Sequence, residues 1–141
     1  MFSKSCQYAI RAVLYLAVNA RSDQKTGAKE VAEALNVPSP FLAKILQQLA
    51  RHDLVSSSKG AGGGFYLQEQ DLQVTLSQII DCIDGKGAMS ACVLGLPVCS
   101  SENPCPLHFK ALSYKSGLEK LIQGQTVGQL AKKIISKKLS L

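Results

Sequence analysis

The sequence has no uninterrupted apolar run near the roughly 20 residues that a membrane-spanning helix requires. Its first residues also lack the basic segment and the small-residue cleavage site of a signal peptide. We therefore expect a cytoplasmic protein without a membrane partner. Internal repeats and low-complexity stretches are absent as well. Because 46% of the 141 residues are apolar, the chain can bury a core, which excludes disorder throughout.

Signatures of common enzyme classes are missing too. The glycine-rich stretch at 60–64 is not followed by the Gly-Lys-Ser/Thr of a phosphate-binding loop. Phe65 stands where the dinucleotide-binding pattern needs its last glycine. The two histidines lie far apart in sequence and no acidic pair stands out, so no nucleophile–base pair is evident. We predict that the protein is not an enzyme.

Positive charge is in excess. Sixteen Lys and Arg against ten Asp and Glu give a formal net charge of +6 and a pI near 9.1. Such an excess favours a polyanionic partner, because each neutralised phosphate releases condensed counterions.

Hydrophobic periodicity predicts a mainly α-helical fold. Residues 4–20 are apolar on nearly every side, which indicates a largely buried helix. A second helix starts at Thr26 as N-cap, and a third is capped by Ser39 with Pro40 in its first position. The predicted buried stripe of the third helix is Leu42, Ile45, Leu46 and Leu49. Two short β-prone runs around a glycine-rich tip, within 54–67, predict a hairpin. This order of elements is that of a winged helix-turn-helix.

A winged helix-turn-helix places its third helix in the DNA major groove, where the N-terminal end of the helix meets base edges. The hairpin tip is poor in side chains except Lys59, so its backbone can approach DNA closely. The alternatives are a solvated helix face and a flexible turn without a ligand. The candidate DNA-binding residues are Ser39, Pro40, Phe41, Lys44, Gln47, Arg51, Lys59, Gly60 and Gly62.

Thr75 with Gln78 and Thr126 with Gln129 are predicted capping boxes at the starts of two further helices. A cysteine-rich loop follows the first of these helices. Cys92, Cys99 and Cys105 lie within fourteen residues, and His108 comes three positions later. Three thiolates and an imidazole could hold zinc or an iron–sulfur cluster. Paired Cys-x-x-Cys knuckles are missing, which favours a cluster over zinc. A metal-free thiol switch remains an alternative from the spacing alone.

The sequence resembles the IscR/NsrR family of winged-helix, iron–sulfur-cluster-sensing transcription regulators. The matching stretches are residues 8–12 (Tyr-Ala-Ile-Arg-Ala), 37–42 (Val-Pro-Ser-Pro-Phe-Leu) and the wing from 54 to 65. The three-cysteine loop completes the resemblance, which covers essentially the whole chain.

The resemblance implies a domain order of a DNA-binding part at 1–84, a cluster-binding loop at 85–105, and a dimerisation helix with a C-terminal helix at 106–141. It implies a homodimer on a partly palindromic DNA operator. By the same resemblance, a two-iron, two-sulfur cluster would be held by Cys92, Cys99, Cys105 and His108. The first gap holds six residues where that type usually shows five. Some relatives with a four-iron cluster recruit a carboxylate from the first helix of the other subunit, where this chain has Gln7, so the two-iron cluster is favoured.

The expected function is therefore that of a DNA-binding transcription regulator. Its operator affinity would be set by the cluster, which would sense iron–sulfur status, redox state or nitric oxide. The alternatives are a metal-free thiol-switch repressor and a cluster carrier or redox protein.

Overall fold

The computed structural model describes residues 2–20 and 22–141, and helices dominate it. Residues 1 and 21, both inside the predicted DNA-binding part, lie outside the described residues. The elements in chain order are α1 (Lys4–Asn19), α2 (Ala28–Leu35), α3 (Ser39–Arg51), β1 (Ser56–Ser58), β2 (Gly64–Tyr66), a 3₁₀ helix (Glu69–Gln73), α4 (Leu76–Asp84), α5 (His108–Gln123) and α6 (Val127–Lys137). Over the described ranges the fold is mainly α with one small sheet, as the periodicity predicts.

Helix α1 is the centre of the molecule and packs against α2, α3, α4 and α6. Its N-cap is Ser3, whose hydroxyl accepts a hydrogen bond of 3.0 Å from the Cys6 N–H. Ala9, Ala12 and Leu16 are fully buried along it. The prediction of a largely buried first helix is confirmed.

The predicted starts of the next two helices are each wrong by one residue. Gly27, not Thr26, is the N-cap of α2, because the Thr26 backbone pairs instead with Phe65 of the hairpin. Ser39 is the first helical residue of α3 and makes no capping hydrogen bond, and Pro38 takes the cap position. Pro40 is thus the second residue of α3, where its missing N–H still costs nothing because the first turn has no acceptor for it.

The core-facing stripe of α3 is as predicted. Leu42, Leu46 and Leu49 are fully buried, and Ile45 is 4% exposed. Burying a side chain of this size contributes roughly 1.5–3 kcal/mol. The stripe therefore fixes the rotation of α3, and it leaves the opposite side of the helix facing solvent.

The hairpin is a two-stranded antiparallel sheet in which Ser56 pairs with Tyr66 and Ser58 with Gly64. Thr26 adds a further pair on the outer edge of β2. Its N–H donates to the Phe65 carbonyl at 2.9 Å, and the Phe65 N–H donates back at 2.8 Å. This pair ties the wing to the segment that precedes α2.

The C-terminal half returns to the core after a long loop at 85–107. The capping boxes predicted at Thr75 and Thr126 are both present. Helix α5 begins at His108, two residues after the predicted start, and only Ile122 near its end is buried. Helix α6 docks through the Val127 N–H, which donates to the Val74 carbonyl at 2.8 Å. The loop at 85–107 therefore connects α4 to α5.

Candidate functional site

The solvent side of α3 carries most of the predicted DNA-binding residues. Pro40, Phe41, Lys44, Gln47 and Arg51 are exposed, and Ser39 is half-buried. Phe41 is held by an edge-to-face contact with Tyr8 of α1, with ring centroids 5.8 Å apart. The structure thus brings these side chains to one accessible helix face, with two cations and a glutamine available for an anionic ligand.

The predicted wing residues Lys59, Gly60 and Gly62 are all exposed at the hairpin tip. Gly60 and Gly62 have positive φ angles of 86° and 74°, which glycine adopts at little cost. Gly64 was not among the predicted site residues, yet a Cβ there would lie 2.8 Å from the Thr26 carbonyl oxygen. The adjacent glycine run was the available signal, but only the folded structure shows which glycine meets the backbone.

Lys25, which was not among the predicted site residues, places a further positive charge beside the wing. The Lys25 ammonium lies 5.5 Å from the centre of the Tyr66 ring. This cation–π contact holds a half-buried positive charge next to β2. The wing therefore presents charge at its base as well as at Lys59.

The three loop cysteines converge. The Sγ atoms of Cys92, Cys99 and Cys105 all lie within 4.8 Å of one another. Cys92 Sγ and Cys105 Sγ are 3.7 Å apart, and no disulfide joins the cysteines. Two thiolates on one tetrahedral ion with metal–sulfur bonds of about 2.3 Å would be about 3.8 Å apart. The Cys92–Cys105 pair is therefore spaced as two ligands of one metal ion.

His108 joins this group from the first turn of α5. Its Nδ1 lies 3.2 Å from Cys99 Sγ, and its Nε2 lies 3.4 Å from the Ser101 hydroxyl. The ring also packs edge-to-face on Phe109. All four predicted ligand residues thus lie together, and the shortest distances given among them join Cys92 to Cys105 and Cys99 to His108.

The surroundings of Cys92 and Cys99 shift the pKa values of the two thiols in opposite directions. Backbone N–H groups, first that of Leu96 and then that of Leu94, lower the pKa of Cys92 from 9.0 to about 7 against the opposing effect of burial. The Cys105 N–H also favours a Cys99 thiolate. Burial and the neighbouring sulfurs outweigh that bond and raise the pKa of Cys99. A bound cation would relieve the crowding of negative charge at these sulfurs.

The donor set fits a soft metal centre. Thiolate sulfur and imidazole nitrogen bind zinc and the iron of iron–sulfur clusters. Flexible loop backbone lets the sulfurs approach a common point, and the start of α5 fixes His108. What the arrangement can do chemically is hold a metal or cluster, or, without metal, join two thiols.

The cavity beside the sulfurs contains residues that the sequence analysis missed. It has a volume of ≈ 210 Å³ and is lined by Cys92, Cys99, His108, Lys115 and Glu119, among others. The α5 residues of this set follow one another at spacings of seven and four, which places them on one helix face. That spacing was the signal available in the sequence.

The other two cysteines have a different environment. Cys6 is fully buried, and burial, reinforced by Asp84, raises its pKa to about 12. Cys82 is half-buried in α4, and burial raises its pKa although Arg51 opposes the shift. Gln7 is exposed on α1. Cys6 and Cys82 lie outside the group of converging thiols.

A hydrogen bond connects α3 to α4, the helix that leads into the cysteine loop. Gln48 Nε2 donates to the Cys82 carbonyl oxygen at 2.9 Å. That carbonyl belongs to the last turn of α4, which has no intrahelical donors left for its carbonyls. The bond therefore caps α4 just before the chain enters the cysteine loop.

Within the described ranges, no helix is both long and apolar enough to cross a membrane.

Comparisons with known proteins match most of the chain. The Rrf2 family model, described as an iron-dependent transcriptional regulator, matches residues 2–133. A protein of Aquifex aeolicus (strain VF5), named as an HTH-type transcriptional regulator, is 33% identical over 132 residues, which cover 92% of this chain and 90% of that protein.

Two solved structures share the fold. The global cysteine regulator CymR of B. subtilis superposes with a TM-score of 0.73 at 22% identity, covering 94% of this chain and 96% of that one. IscR of T. potens gives a TM-score of 0.72 at 20% identity, covering 100% of this chain and 93% of that one. These likenesses confirm the predicted fold.

Proposed function

Since this chain belongs to the Rrf2 family of transcriptional regulators, we propose that its affinity for a DNA operator is set by an iron–sulfur cluster held on the cysteine loop. The ligands are Cys92, Cys99, Cys105 and His108. The observation that carries this proposal is the convergence of three Sγ atoms within 4.8 Å, with an imidazole nitrogen 3.2 Å from one of them. The cluster would sense iron–sulfur supply, redox state or nitric oxide.

A two-iron, two-sulfur cluster suits the site better than a four-iron one. A two-iron cluster takes four protein ligands, two on each iron, and the three converging thiols with His108 supply four donors. Gln7 offers no carboxylate for a four-iron cluster shared between subunits. When bound, the cluster supplies a centre whose charge changes with its oxidation state.

The DNA-binding part of the proposal rests on α3 and the wing. Exposed Lys44, Gln47 and Arg51 would meet the major groove, while Lys59 and the glycine tip would meet phosphate. Ser39, Pro40 and Phe41 would set how α3 enters the groove. Residues 1–84 would therefore form the DNA-binding part.

A homodimer is proposed on the basis of the exposed apolar surface of α5. Leu107, Phe109, Leu112, Tyr114 and Leu121 are all at least 40% exposed in or next to this helix. A second copy of α5 would cover them, and residues 106–141 would then form the dimerisation part. Two copies of α3 about 34–36 Å apart would read successive turns of a partly palindromic operator.

The link between the two parts is the loop at 85–105, which starts where α4 ends. Gln48 of α3 caps that end of α4 through the Cys82 carbonyl. A change in the conformation of the loop could therefore be transmitted to α3 through the end of α4 and the Gln48 hydrogen bond. This path supports cluster-dependent DNA affinity.

The test is an anaerobic purification followed by a visible spectrum and an iron and sulfide analysis. We expect about two irons and two sulfides per chain in the wild type and loss of both in Cys99→Ala. Cys82→Ala, a cysteine outside the loop, is the matched control and should keep them. DNA affinity is measured on the same samples by fluorescence anisotropy, with an operator selected from a random duplex library.

A second candidate is a metal-free thiol switch, favoured by two observations. Cys92 has its pKa lowered to about 7, which makes it reactive near neutral pH. Its sulfur lies 3.7 Å from that of Cys105. Peroxide could take two electrons and two protons from this pair, leaving a disulfide and two waters. Colourless, iron-free protein whose DNA affinity changes with peroxide would refute the cluster and establish this alternative.

A further inference from the structure

Lys115 differs from the other lysines of α5. It lies seven residues, or two turns, after His108, and therefore on the same face of the helix. Its side chain is half-buried, whereas Lys110 and Lys120 are exposed. Immobilising a lysine side chain costs conformational entropy, so its contacts must offset that cost.

Those contacts are backbone carbonyls of the cysteine loop. Lys115 Nζ donates to the Ser90 carbonyl oxygen at 3.4 Å and, more closely, to that of Ala91. These two carbonyls immediately precede Cys92. Lys115 therefore fastens the loop to α5 at the point where the first thiol ligand emerges.

The ammonium also places a positive charge at the metal site. Lys115 lines the ≈ 210 Å³ cavity that Cys92, Cys99 and His108 line. Two of the three candidate thiolates, Cys92 and Cys99, therefore bring negative charge to the cavity that Lys115 lines. A nearby cation in a partly buried position stabilises such charge more than one in bulk water.

We propose that Lys115 is a positioning residue for the iron–sulfur cluster, which fixes the loop before Cys92 and raises the reduction potential of the bound cluster. The inference rests on the proposed function. One-electron reduction makes the site more negative by one charge. A neighbouring cation therefore stabilises the reduced state more than the oxidised state.

Glu119 allows a test of the sign of the shift in reduction potential. It lies one turn beyond Lys115 and lines the same cavity, with the opposite charge. Removing the charge of Lys115 should lower the reduction potential, and removing that of Glu119 should raise it. A loss of packing alone would not produce shifts of opposite sign.

The experiment compares wild type with Lys115→Gln, Lys115→Arg, Glu119→Gln and Lys120→Gln after anaerobic cluster reconstitution. Iron and sulfide are counted first, and the potential is then measured by dithionite titration of the visible absorbance. We expect Lys115→Gln to lower the reduced-to-oxidised ratio at a fixed potential by on the order of tenfold. That factor corresponds to about 59 mV for a one-electron couple. Lys115→Arg should stay near wild type, and so should the exposed control Lys120→Gln.

The positioning part is measured on metal-free protein by hydrogen–deuterium exchange. Peptides spanning 88–95 should exchange faster in Lys115→Gln than in wild type or Lys120→Gln. Unchanged exchange in these peptides would overturn the positioning role.

The remaining outcomes separate the two proposals. If Lys115→Gln binds the wild-type amount of iron and its cluster has the wild-type reduction potential, the charge effect is refuted and the proposed function stands. Wild-type protein that takes up no iron would overturn the proposed function, and this inference with it.

Discussion

Two neighbouring glutamines of α3 should respond to the same substitution in different ways. Gln48 is half-buried, and its Nε2 donates to the Cys82 carbonyl oxygen at 2.9 Å. Gln47 is exposed, and the described residues offer its side chain no hydrogen bond. Gln48→Ala is therefore expected to change stability, and Gln47→Ala to change DNA recognition.

The size of the Gln48 effect follows from its one contact. A hydrogen bond of this kind contributes about 0.5–1.5 kcal/mol net, and its loss leaves a carbonyl of the last turn of α4 without a protein donor. Alanine regains a few tenths of a kcal/mol in helix propensity. We expect Gln48→Ala to lower the free energy of unfolding by about 1 kcal/mol.

Gln47→Ala is the matched control for stability and the test for DNA contact. Its free energy of unfolding should stay within about 0.5 kcal/mol of wild type, as for most surface substitutions. If Gln47 contacts a base edge, the variant loses about 1–3 kcal/mol of discrimination at one base position. An equal loss on every DNA sequence would mean that Gln47 meets only phosphate.

Urea denaturation at one fixed protein concentration measures the stabilities, since the proposed dimer would make apparent stability depend on concentration. Anisotropy on a set of single-base operator variants measures discrimination. Wild-type stability in Gln48→Ala, or a larger loss in Gln47→Ala than in Gln48→Ala, would refute the reasoning from the Cys82 contact.

Three further expectations concern the wing, the charge and the core. Gly64→Ala places a Cβ 2.8 Å from the Thr26 carbonyl oxygen at a φ of +151°, and should destabilise the protein by about 1–3 kcal/mol in urea denaturation. Gly27→Ala, where a Cβ meets open space at a negative φ, is its control and should lose less, about 0.5 kcal/mol, because alanine is a poorer N-cap than glycine. Lys59→Ala should weaken DNA binding about equally on all sequences and reduce the slope of log affinity against log salt by about 1; an unchanged slope would remove Lys59 from the phosphate contacts. Burial raises the pKa of Cys6 from 9.0 to about 12, so the folded protein keeps a thiol proton that the unfolded chain loses. Stability should therefore fall as pH rises from about 9 towards 12, by up to about 1.4 kcal/mol per pH unit, and Cys6→Ala should show a shallower fall.

The position of the cysteine loop accounts for how a local event could reach DNA. Its first residue follows α4, and its end leads into α5 at His108. Helix α4 packs on α1 and α3, while α5 packs on α4. In the proposed mechanism, a change in the loop would act on helices that also position α3.

Local patterns in the sequence were sufficient for much of the fold. The stripe of Leu42, Leu46 and Leu49 and the capping boxes at Thr75 and Thr126 depend on residues three or four apart, which are neighbours in any helix. The hairpin likewise follows from β-prone runs around glycines. The spacing of the cysteines and His108 was enough to nominate a metal site.

Contacts between distant segments could not be predicted in this way. Thr26 reads as a helix cap, but its backbone pairs with Phe65, 39 positions later. Gln47 and Gln48 are alike in sequence, and only the packing of α3 on α4 makes one exposed and the other a cap for Cys82. The spacing of apolar residues predicts which face of a helix is buried, but it does not predict which segment packs against that face.

The sequence by itself determined the helices, the wing and the identity of the candidate ligands, because these depend on short-range geometry. The tertiary structure alone decided that Cys92 lies with Cys105 and Cys99 with His108. It also decided that Lys115 meets the loop. A loop without regular structure has no period to read, so its pairings are fixed only when α4 and α5 hold its two ends.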